Sequence, residues 1–246
     1  MKWLTGLVLL VLATAPAFAA ERPVVVELFT SLACSDCPPA DAVLARVRGQ
    51  YPDVLALDLH VTYWNDGSWS DPYSLQGVDE LQNDYAALRH DPQVYTPEAV
   101  VDGGQPFIGS DSRAMAAAIE KARARIVAGG AVPVDIGSTA QGISVDVGSG
   151  QGVGTVWLFG FDPSRTTPVR AGENAGATIN EVNVVRSITR LGEWHGRPLE
   201  LHAPLPAGTG FAVILQSANG TVRAAASSEA APAVKMNLRH DLPRVQ

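Results

Sequence analysis

The chain has very little cysteine: its 246 residues include only Cys34 and Cys37, in the stretch LFTSLACSDCPPADAVLARV. A structural zinc site takes four ligands, and no further ligand stands at a local ligand spacing beside these two thiols. A disulfide between them would close a very short loop, so it would restrict the unfolded chain only slightly. The scarcity argues against a structural disulfide and a zinc finger. It leaves a redox pair, or a two-thiolate site for a soft ion such as copper.

Clustered positive charge is also missing. The formal net charge is −7, and the Lys and Arg residues are scattered along the chain. Nucleic acids and anionic membranes are bound by clustered positive charge, so we expect no nucleic-acid partner. Beyond the N-terminus, Gly, Pro or charge breaks each apolar run within about ten residues, well short of the ~20 that span a bilayer. The sequence contains no catalytic triad, phosphate loop, dinucleotide fingerprint or internal repeat.

The first residues predict export. Lys2 precedes an apolar run over residues 4–15, and Ala17-Phe18-Ala19 has the small-x-small form of a signal-peptidase site. We therefore predict a signal peptide over residues 1–19 that is cleaved, with no membrane anchor, and a mature protein in the periplasm or secreted. Residues 237–246 are predicted to be a flexible tail.

Hydrophobic patterning divides the mature chain into two regions. Residues 20–129 read as strand, helix, strand, helix, a hairpin around Gly103-Gly104, and a last helix after Asp111 or Ser112. From Val132 onward, short alternating runs separated by turn residues predict a small antiparallel β-sandwich over residues 130–236. The predicted fold class is α/β plus all-β: a βαβ-α-ββα domain followed by the sandwich.

The position of the cysteines favours redox chemistry. Cys34 stands between a predicted strand end and a helix N-terminus, where unpaired backbone N–H groups and the helix dipole stabilise a thiolate. Cys37 follows about one turn later and is placed to attack a mixed disulfide formed on Cys34. We therefore expect Cys34 to be the exposed nucleophile and Cys37 to be the resolving thiol.

The sequence resembles known proteins in its element order and in three segments. The element order, the CxxC after the first strand and Thr96-Pro97 at the start of a later strand resemble the thioredoxin superfamily. VVELFTSLACSDCPPAD, YTPEAVVDG and GENAGATINEVNVVRSITRLGEW are similar to a secreted bacterial family, domain of unknown function 1223. The resemblance implies a cis peptide bond before Pro97, with the backbone of Thr96 beside Cys34 and able to pair with an extended substrate.

Two acidic residues are expected to affect the protonation of the thiols. The resemblance implies that Glu27, allowing one extra residue in the following turn, matches the buried acid of thioredoxin that assists proton transfer to the resolving cysteine. A buried carboxyl has a raised pKa and can act as a general base, whereas an edge-facing Glu27 would simply be solvated. Asp36 replaces an uncharged residue between the cysteines. Its carboxylate should oppose ionisation of Cys34 and partly cancel the effect of the helix terminus, giving a nucleophile less acidic than those of strongly oxidising exchange proteins and a modest or reducing potential.

The loop after the second strand, HVTYWNDGSWSDPYS, begins at the same sheet edge as the cysteines. His60 either donates positive charge to Cys34 or, as we favour, is a hydrogen-bonded core residue. Tyr63, Trp64 and Trp69 are predicted to line an apolar groove as well as to cover the sheet.

The C-terminal region offers polar residues but no nucleophile-base set, so we expect it to bind a partner or cover the cysteine edge. Its polar candidates are Glu173, Asn174, Asn180, Asn183 and Arg186.

These observations predict an exported thiol–disulfide oxidoreductase that needs no cofactor and no metal. Its partners would be cell-envelope proteins with thiols or disulfides and a redox donor that the sequence does not identify. The alternative is a non-catalytic binding module that holds a soft metal such as copper, or an extended peptide, on a thioredoxin-like scaffold. Peroxide reduction is the weaker third possibility, because no Arg or Thr stands beside Cys34 in the sequence to activate a peroxide.

Overall fold

A computed structural model describes residues 22–91, 93–129 and 132–228. The predicted signal peptide and the predicted tail lie outside the described residues. No helix in the described ranges is long and apolar enough to cross a membrane. The helices are α1 Cys37–Gln50, α2 Gln76–Leu88 and α3 Ser112–Gly129. The strands are β1 Val24–Thr30, β2 Val54–His60, β3 Glu98–Val101, β4 Phe107–Ile108, β5 Val134–Thr139, β6 Gly142–Val147, β7 Gly154–Pro168, β8 Thr178–Trp194, β9 Leu199–Ala203, β10 Gly210–Gln216 and β11 Val222–Ser227.

The N-terminal half has the predicted βαβ-α-ββα order. β1 pairs in parallel with β2 and antiparallel with β3, and β3 pairs with β4. Every residue of β1 and β2 is buried, which agrees with their continuous apolar runs. The carboxyl ends of β1 and β2 and the start of α1 therefore meet at one edge of the sheet.

The two faces of β1 pack against different helices. Val26 and Leu28 face α1 and α3, in a core that includes Leu44 and Ile119. The odd-numbered residues Val25 and Phe29 face α2, in a core that includes Val78, Leu81 and Tyr85. Because successive side chains of a strand point to opposite faces, the parity of a residue in β1 decides which helix it meets.

The C-terminal strands extend the same sheet. β8 pairs in parallel with β2 through Asp58 and Val184, and the eight-stranded order is β11-β10-β7-β8-β2-β1-β3-β4. The predicted division between residues 20–129 and 130–236 is therefore not a division of the sheet. The mixed fold class is confirmed: a large sheet with helices, and a second, three-stranded antiparallel sheet in the order β5-β6-β9.

The three-stranded sheet stacks on the C-terminal part of the large sheet. Ile143 and Val145 of β6 pack with Leu158 of β7, Leu215 of β10 and the fully buried Trp194. The indole N–H of Trp194 donates to the carbonyl of Gly148 at 3.0 Å, so the one polar atom of this large ring is satisfied.

Two tight turns meet at the far end of the sheet from the cysteines. Asp102 and Gly103 have φ values of 53° and 67°, so the hairpin turn lies one residue before the predicted Gly103-Gly104. A Cβ on Gly103 would lie 1.9 Å from the carbonyl oxygen of Gly220, in the turn between β10 and β11. Gly103 is therefore required both by its backbone conformation and by this close approach.

Candidate functional site at the cysteine pair

The two thiols lie together at the start of α1. Both cysteines are free, and their Sγ atoms are 2.6 Å apart. Pro38 and Pro39 occupy the first turn of α1 and have no N–H, so the backbone donors that remain beside Cys34 are those of Asp36 and Cys37. The two prolines thus limit the backbone N–H groups that can stabilise a Cys34 thiolate to those of Asp36 and Cys37.

The surroundings of the pair make the two thiols unequal. The Cys37 thiol donates to Cys34, and this is the largest influence that lowers the pKa of Cys34 to about 6. Burial opposes the shift, while hydrogen bonds from Thr96, Asp36 and Cys37 support it. The same shared proton, together with burial, raises the pKa of Cys37. The geometry therefore keeps charge on Cys34 and the proton on Cys37.

Asp36 acts on Cys34 through its backbone. Asp36 is exposed and occupies the N-cap position of α1 without a side-chain capping bond. Its backbone N–H donates to Cys34 and helps to lower the pKa of that thiol, whereas its carboxylate is not among the groups that shift it. Cys34 is more acidic than an ordinary cysteine, and its acidity relative to strongly oxidising exchange proteins stays a prediction.

Thr96 and Pro97 lie where the resemblance implies. The peptide bond between them is cis, and the Thr96 carbonyl oxygen is 4.0 Å from Cys34 Sγ. The indole N–H of Trp64 donates to Thr96 Oγ1 at 2.7 Å, which leaves the hydroxyl hydrogen of Thr96 to point to Cys34. Trp64 thus acts on the thiolate through Thr96.

The three aromatic residues of the loop after β2 do not line one groove. Tyr63 is 46% exposed, and its hydroxyl donates to Gln82. Trp64 packs against the core on the α2 side, whereas Trp69 packs against a separate cluster that contains Leu32. The predicted common groove is therefore wrong, and Trp64 is the aromatic residue that reaches the cysteine site.

Cys34 is closed off from solvent. It is 2% exposed, so the prediction of an exposed nucleophile is wrong for this conformation. The cover loop, residues 169–177 between β7 and β8, lies against the CxxC turn. Its Gly172 has a φ of 81° and approaches so closely that a Cβ there would lie 2.8 Å from that of Ala33. A larger residue at position 172 would push the loop away from the cysteines.

Polar contacts hold the cover loop in place. Glu173 donates its N–H to the Ala33 carbonyl at 3.0 Å, and its carboxylate accepts from the N–H and hydroxyl of Ser35 at 2.9 and 2.7 Å. The amide of Asn174 donates to the carbonyls of Leu32 and Cys34 at 3.0 and 2.7 Å. These two residues of the C-terminal region thus cover the cysteine edge, whereas Asn183 bonds to Ala56 on β2.

Glu27 does not face the cysteines. Its carboxylate accepts a hydrogen bond from the Tyr85 hydroxyl at 2.6 Å on the α2 face of the sheet. Burial raises its pKa to about 7, as expected for a buried carboxyl. However, β1 stays paired with β2 as far as Thr30, so the extra residue lies within the strand and not in the turn. A one-residue shift in a strand moves a side chain to the opposite face, which corrects the assignment of Glu27.

Asp41 is the carboxylate that the sequence analysis missed. It accepts a hydrogen bond from Thr30 Oγ1 at 3.0 Å, and Thr30 also contacts the Cys37 thiol. Burial and the charge of Glu181 raise the pKa of Asp41 to about 7. Asp41 stands four residues after Cys37 on α1, so the i, i+4 spacing would have indicated a shared helix face.

A protein-family model matches most of the chain. The family described as Protein of unknown function (DUF1223) matches residues 25–216. The chain belongs to this family. The match includes both cysteines, Pro97 and the cover loop. A comparison with curated proteins found no match.

Two solved structures are similar to this one. The crystal structure of protein AGR_C_4864 from Agrobacterium tumefaciens has 30% sequence identity and a TM-score of 0.71, over 85% of this chain and 95% of that one. HBP35 of Porphyromonas gingivalis has 15% identity and a TM-score of 0.55, over 85% of this chain and 75% of that one. The second likeness is one of fold alone.

His60 lies beneath the site and does not donate to Cys34. It is fully buried, its Nδ1 is 2.8 Å from Asp71 Oδ2, and its Nε2 is 3.2 Å from Glu181 Oε1. Burial opposes its protonation, but the charges of Asp71 and Glu181 prevail and raise its pKa. His60 is therefore a hydrogen-bonded core residue, the interpretation favoured from the sequence.

Proposed function

We propose that this protein is an exported thiol–disulfide oxidoreductase in which Cys34 is the nucleophile and Cys37 the resolving thiol. The observation that carries the proposal is the inequality of the two sulfurs at 2.6 Å, one acidified and the other holding the shared proton. A thiolate is the attacking species in disulfide exchange, and a neighbouring thiol is what releases the mixed disulfide.

A thioredoxin-like scaffold is part of this proposal. In its favour are the βαβ-α-ββα order, the sheet order β2-β1-β3-β4, the CxxC at the start of α1 and the cis bond before Pro97. The Thr96 carbonyl beside Cys34 gives an extended peptide one backbone group to pair with, as in strand addition. Substrates would be cell-envelope proteins, which rests on the predicted signal peptide.

The exchange proceeds in two balanced steps. The Cys34 thiolate attacks one sulfur of a substrate disulfide, a new S–S bond forms, and the other substrate sulfur leaves as a thiolate that takes up a proton. Cys37 then loses its proton to Asp41 across the Thr30 hydroxyl and attacks the Cys34 sulfur. The second substrate sulfur leaves and is protonated. The substrate disulfide is reduced to two thiols, and Cys34 and Cys37 become a disulfide that an envelope dithiol must reduce.

Burial of Cys34 favours a second candidate. With 2% of the residue exposed, a substrate disulfide reaches Cys34 only when the cover loop moves away. A non-catalytic module, which grips an extended peptide or a soft ion at the same edge, would tolerate a closed pair. The two functions differ in whether Cys34 exchanges with a disulfide at all.

Stoichiometry with an aromatic disulfide separates them. The reduced wild-type chain, treated with 5,5′-dithiobis(2-nitrobenzoate), should release both thionitrobenzoates and form an internal disulfide. Cys37→Ala should release one and retain the other on Cys34, seen as an adduct in the intact mass. Cys34→Ala should react slowly, because Cys37 is fully buried and its pKa is raised. A folded wild-type chain that releases nothing, while it binds copper, would replace the enzyme by the binding module.

A further inference from the structure

A second group of reactive side chains lies under α1. Asp58 and His60 of β2 and Glu181 of β8 each bring a potential ligand atom within 4.8 Å of the other two. Their exposed fractions are 0%, 0% and 2%. We call these three residues the β2–β8 triad. It contains no sulfur and is not part of the exchange steps described above.

The β2–β8 triad has polar atoms without hydrogen bonds. Both carboxylate oxygens of Asp58, both of Glu181 and Nε2 of His60 are buried and have no hydrogen-bond partner among the described residues. His60 Nε2 is 3.2 Å from Glu181 Oε1 but makes no hydrogen bond to it, and at 3.9 Å it is too far from Asp58 Oδ1 for one. Buried carboxylates are normally hydrogen-bonded, paired or bound to a metal.

Asp71 orients the imidazole toward this space. Its Oδ2 is 2.8 Å from His60 Nδ1, and the carboxylate is itself held by the N–H groups of Leu32 and Tyr73 at 2.8 and 2.9 Å. A carboxylate on Nδ1 keeps a ring proton there, so Nε2 is the nitrogen that faces Asp58 and Glu181. This carboxylate–histidine arrangement is the usual outer support of a metal-bound imidazole.

We propose that Asp58, His60 and Glu181 bind one divalent cation of the zinc type. Its charge would balance the two buried carboxylates, whose oxygens have no hydrogen-bond partner among the described residues. Ligand atoms around tetrahedral zinc are about 3.4 Å apart, given bonds of about 2.0–2.1 Å, and the observed 3.2 and 3.9 Å bracket this value. The imidazole disfavours Ca²⁺ and Mg²⁺, and the lack of sulfur disfavours copper(I).

The cation would join the two halves of the chain. Asp58 and His60 belong to β2, whereas Glu181 belongs to β8, which pairs with β2 beside Asp58. A further carboxyl, Asp41 on α1, lies close enough to the triad for its pKa to be raised by the charge of Glu181 and lowered by that of His60. A bound cation would therefore lie between the sheet seam and the helix that begins at Cys37.

Zinc binding to the folded mature chain tests the proposal. We expect chelator-treated protein to take up one zinc per chain, measured by calorimetry and mass spectrometry of the metal content. X-ray absorption should give nitrogen and oxygen ligands at about 2.0–2.1 Å and no sulfur at about 2.3 Å. A sulfur shell, or no uptake by folded wild-type protein, would overturn the proposal, and neither result depends on a variant that folds.

Variants then locate the zinc. Glu181→Gln and Asp58→Asn should abolish uptake, and Asp71→Asn should weaken it by about 10- to 100-fold. The control is Glu200→Gln, because His202 and Glu200 are also 3.2 Å apart but are exposed on β9. Cys34→Ser combined with Cys37→Ser should keep full uptake, so a failed redox function leaves this result unchanged. Equal binding by folded Glu181→Gln and by the control would refute the triad as the site.

Discussion

The Cys37→Ala substitution tests the origin of the acidic Cys34. The pKa of Cys34 is about 6, against an ordinary 9.0. At pH 7 these values correspond to a thiol about nine-tenths ionised and one about one-hundredth ionised, close to a hundredfold difference. Because the Cys37 thiol is the largest influence lowering this pKa, its removal should raise the alkylation midpoint by more than about one pH unit. A thiolate of higher pKa is intrinsically more nucleophilic, so the rate at pH 7 should fall less than the ionised fraction.

The assay is the rate of iodoacetamide alkylation of Cys34, followed by intact mass across a pH range that brackets both values. Two variants serve as controls. Cys37→Ser keeps a hydroxyl donor and should shift the midpoint less than Cys37→Ala. Asp36→Asn should leave it in place, since the exposed carboxylate is not among the main influences on the Cys34 pKa. A midpoint that stays near 6 in Cys37→Ala, or one that moves in Asp36→Asn, would refute this account of the thiol pair.

Two further predictions concern the cover loop and the carboxyl under α2. Asn174→Ala removes two hydrogen bonds to the CxxC turn, worth about 1–3 kcal/mol together, so Cys34 alkylation should accelerate about fivefold or more. Asn180→Ala, which removes an exposed amide bonded to Thr166, should not change the rate. Equal alkylation rates for Asn174→Ala and Asn180→Ala would show that the loop does not limit access to Cys34. The Glu27 pKa is raised from 4.5 to about 7. Its contribution to stability is therefore complete below pH 4.5 and is lost as the pH rises through 7, by up to about 3 kcal/mol. The unfolding free energy of wild type should therefore fall relative to Glu27→Gln across this window, whereas exposed Glu200→Gln should track wild type; parallel curves for all three would contradict the raised pKa.

Local signals in the sequence located the centre of the site. The CxxC followed by two prolines fixes a helix start, so Cys34 and Cys37 needed little three-dimensional information. The cis bond before Pro97 was instead implied by the resemblance, because most X-Pro bonds are trans. The error at Glu27 has a simple cause, because strand parity changes with a single residue and the sequence does not show where β1 ends. Asp41 was within reach of the same local reasoning through its helical spacing from Cys37.

Long-range contacts were beyond the sequence analysis. Glu173 and Asn174 lie about 140 residues from the cysteines that they cover, and only the pairing of β8 with β2 brings them there. The burial of Cys34 follows from the same pairing. Similarly, Glu181 lies beside His60 only because β8 pairs with the edge of β2. The sequence does not show which edge of the sheet β8 joins. Hydrophobic alternation identifies strands but does not choose their neighbours.

The junction between β2 and β8 makes the two halves interdependent. A fragment that stops after α3 would keep β2 paired with β1 but would open the edge of β2 that meets β8 at Asp58, beside the buried side chains of Asp58 and His60. Such a fragment would tend to self-associate and would bare the sulfurs to indiscriminate oxidation. Closing the thiols off from solvent therefore requires the second half of the chain, which supplies Glu173 and Asn174.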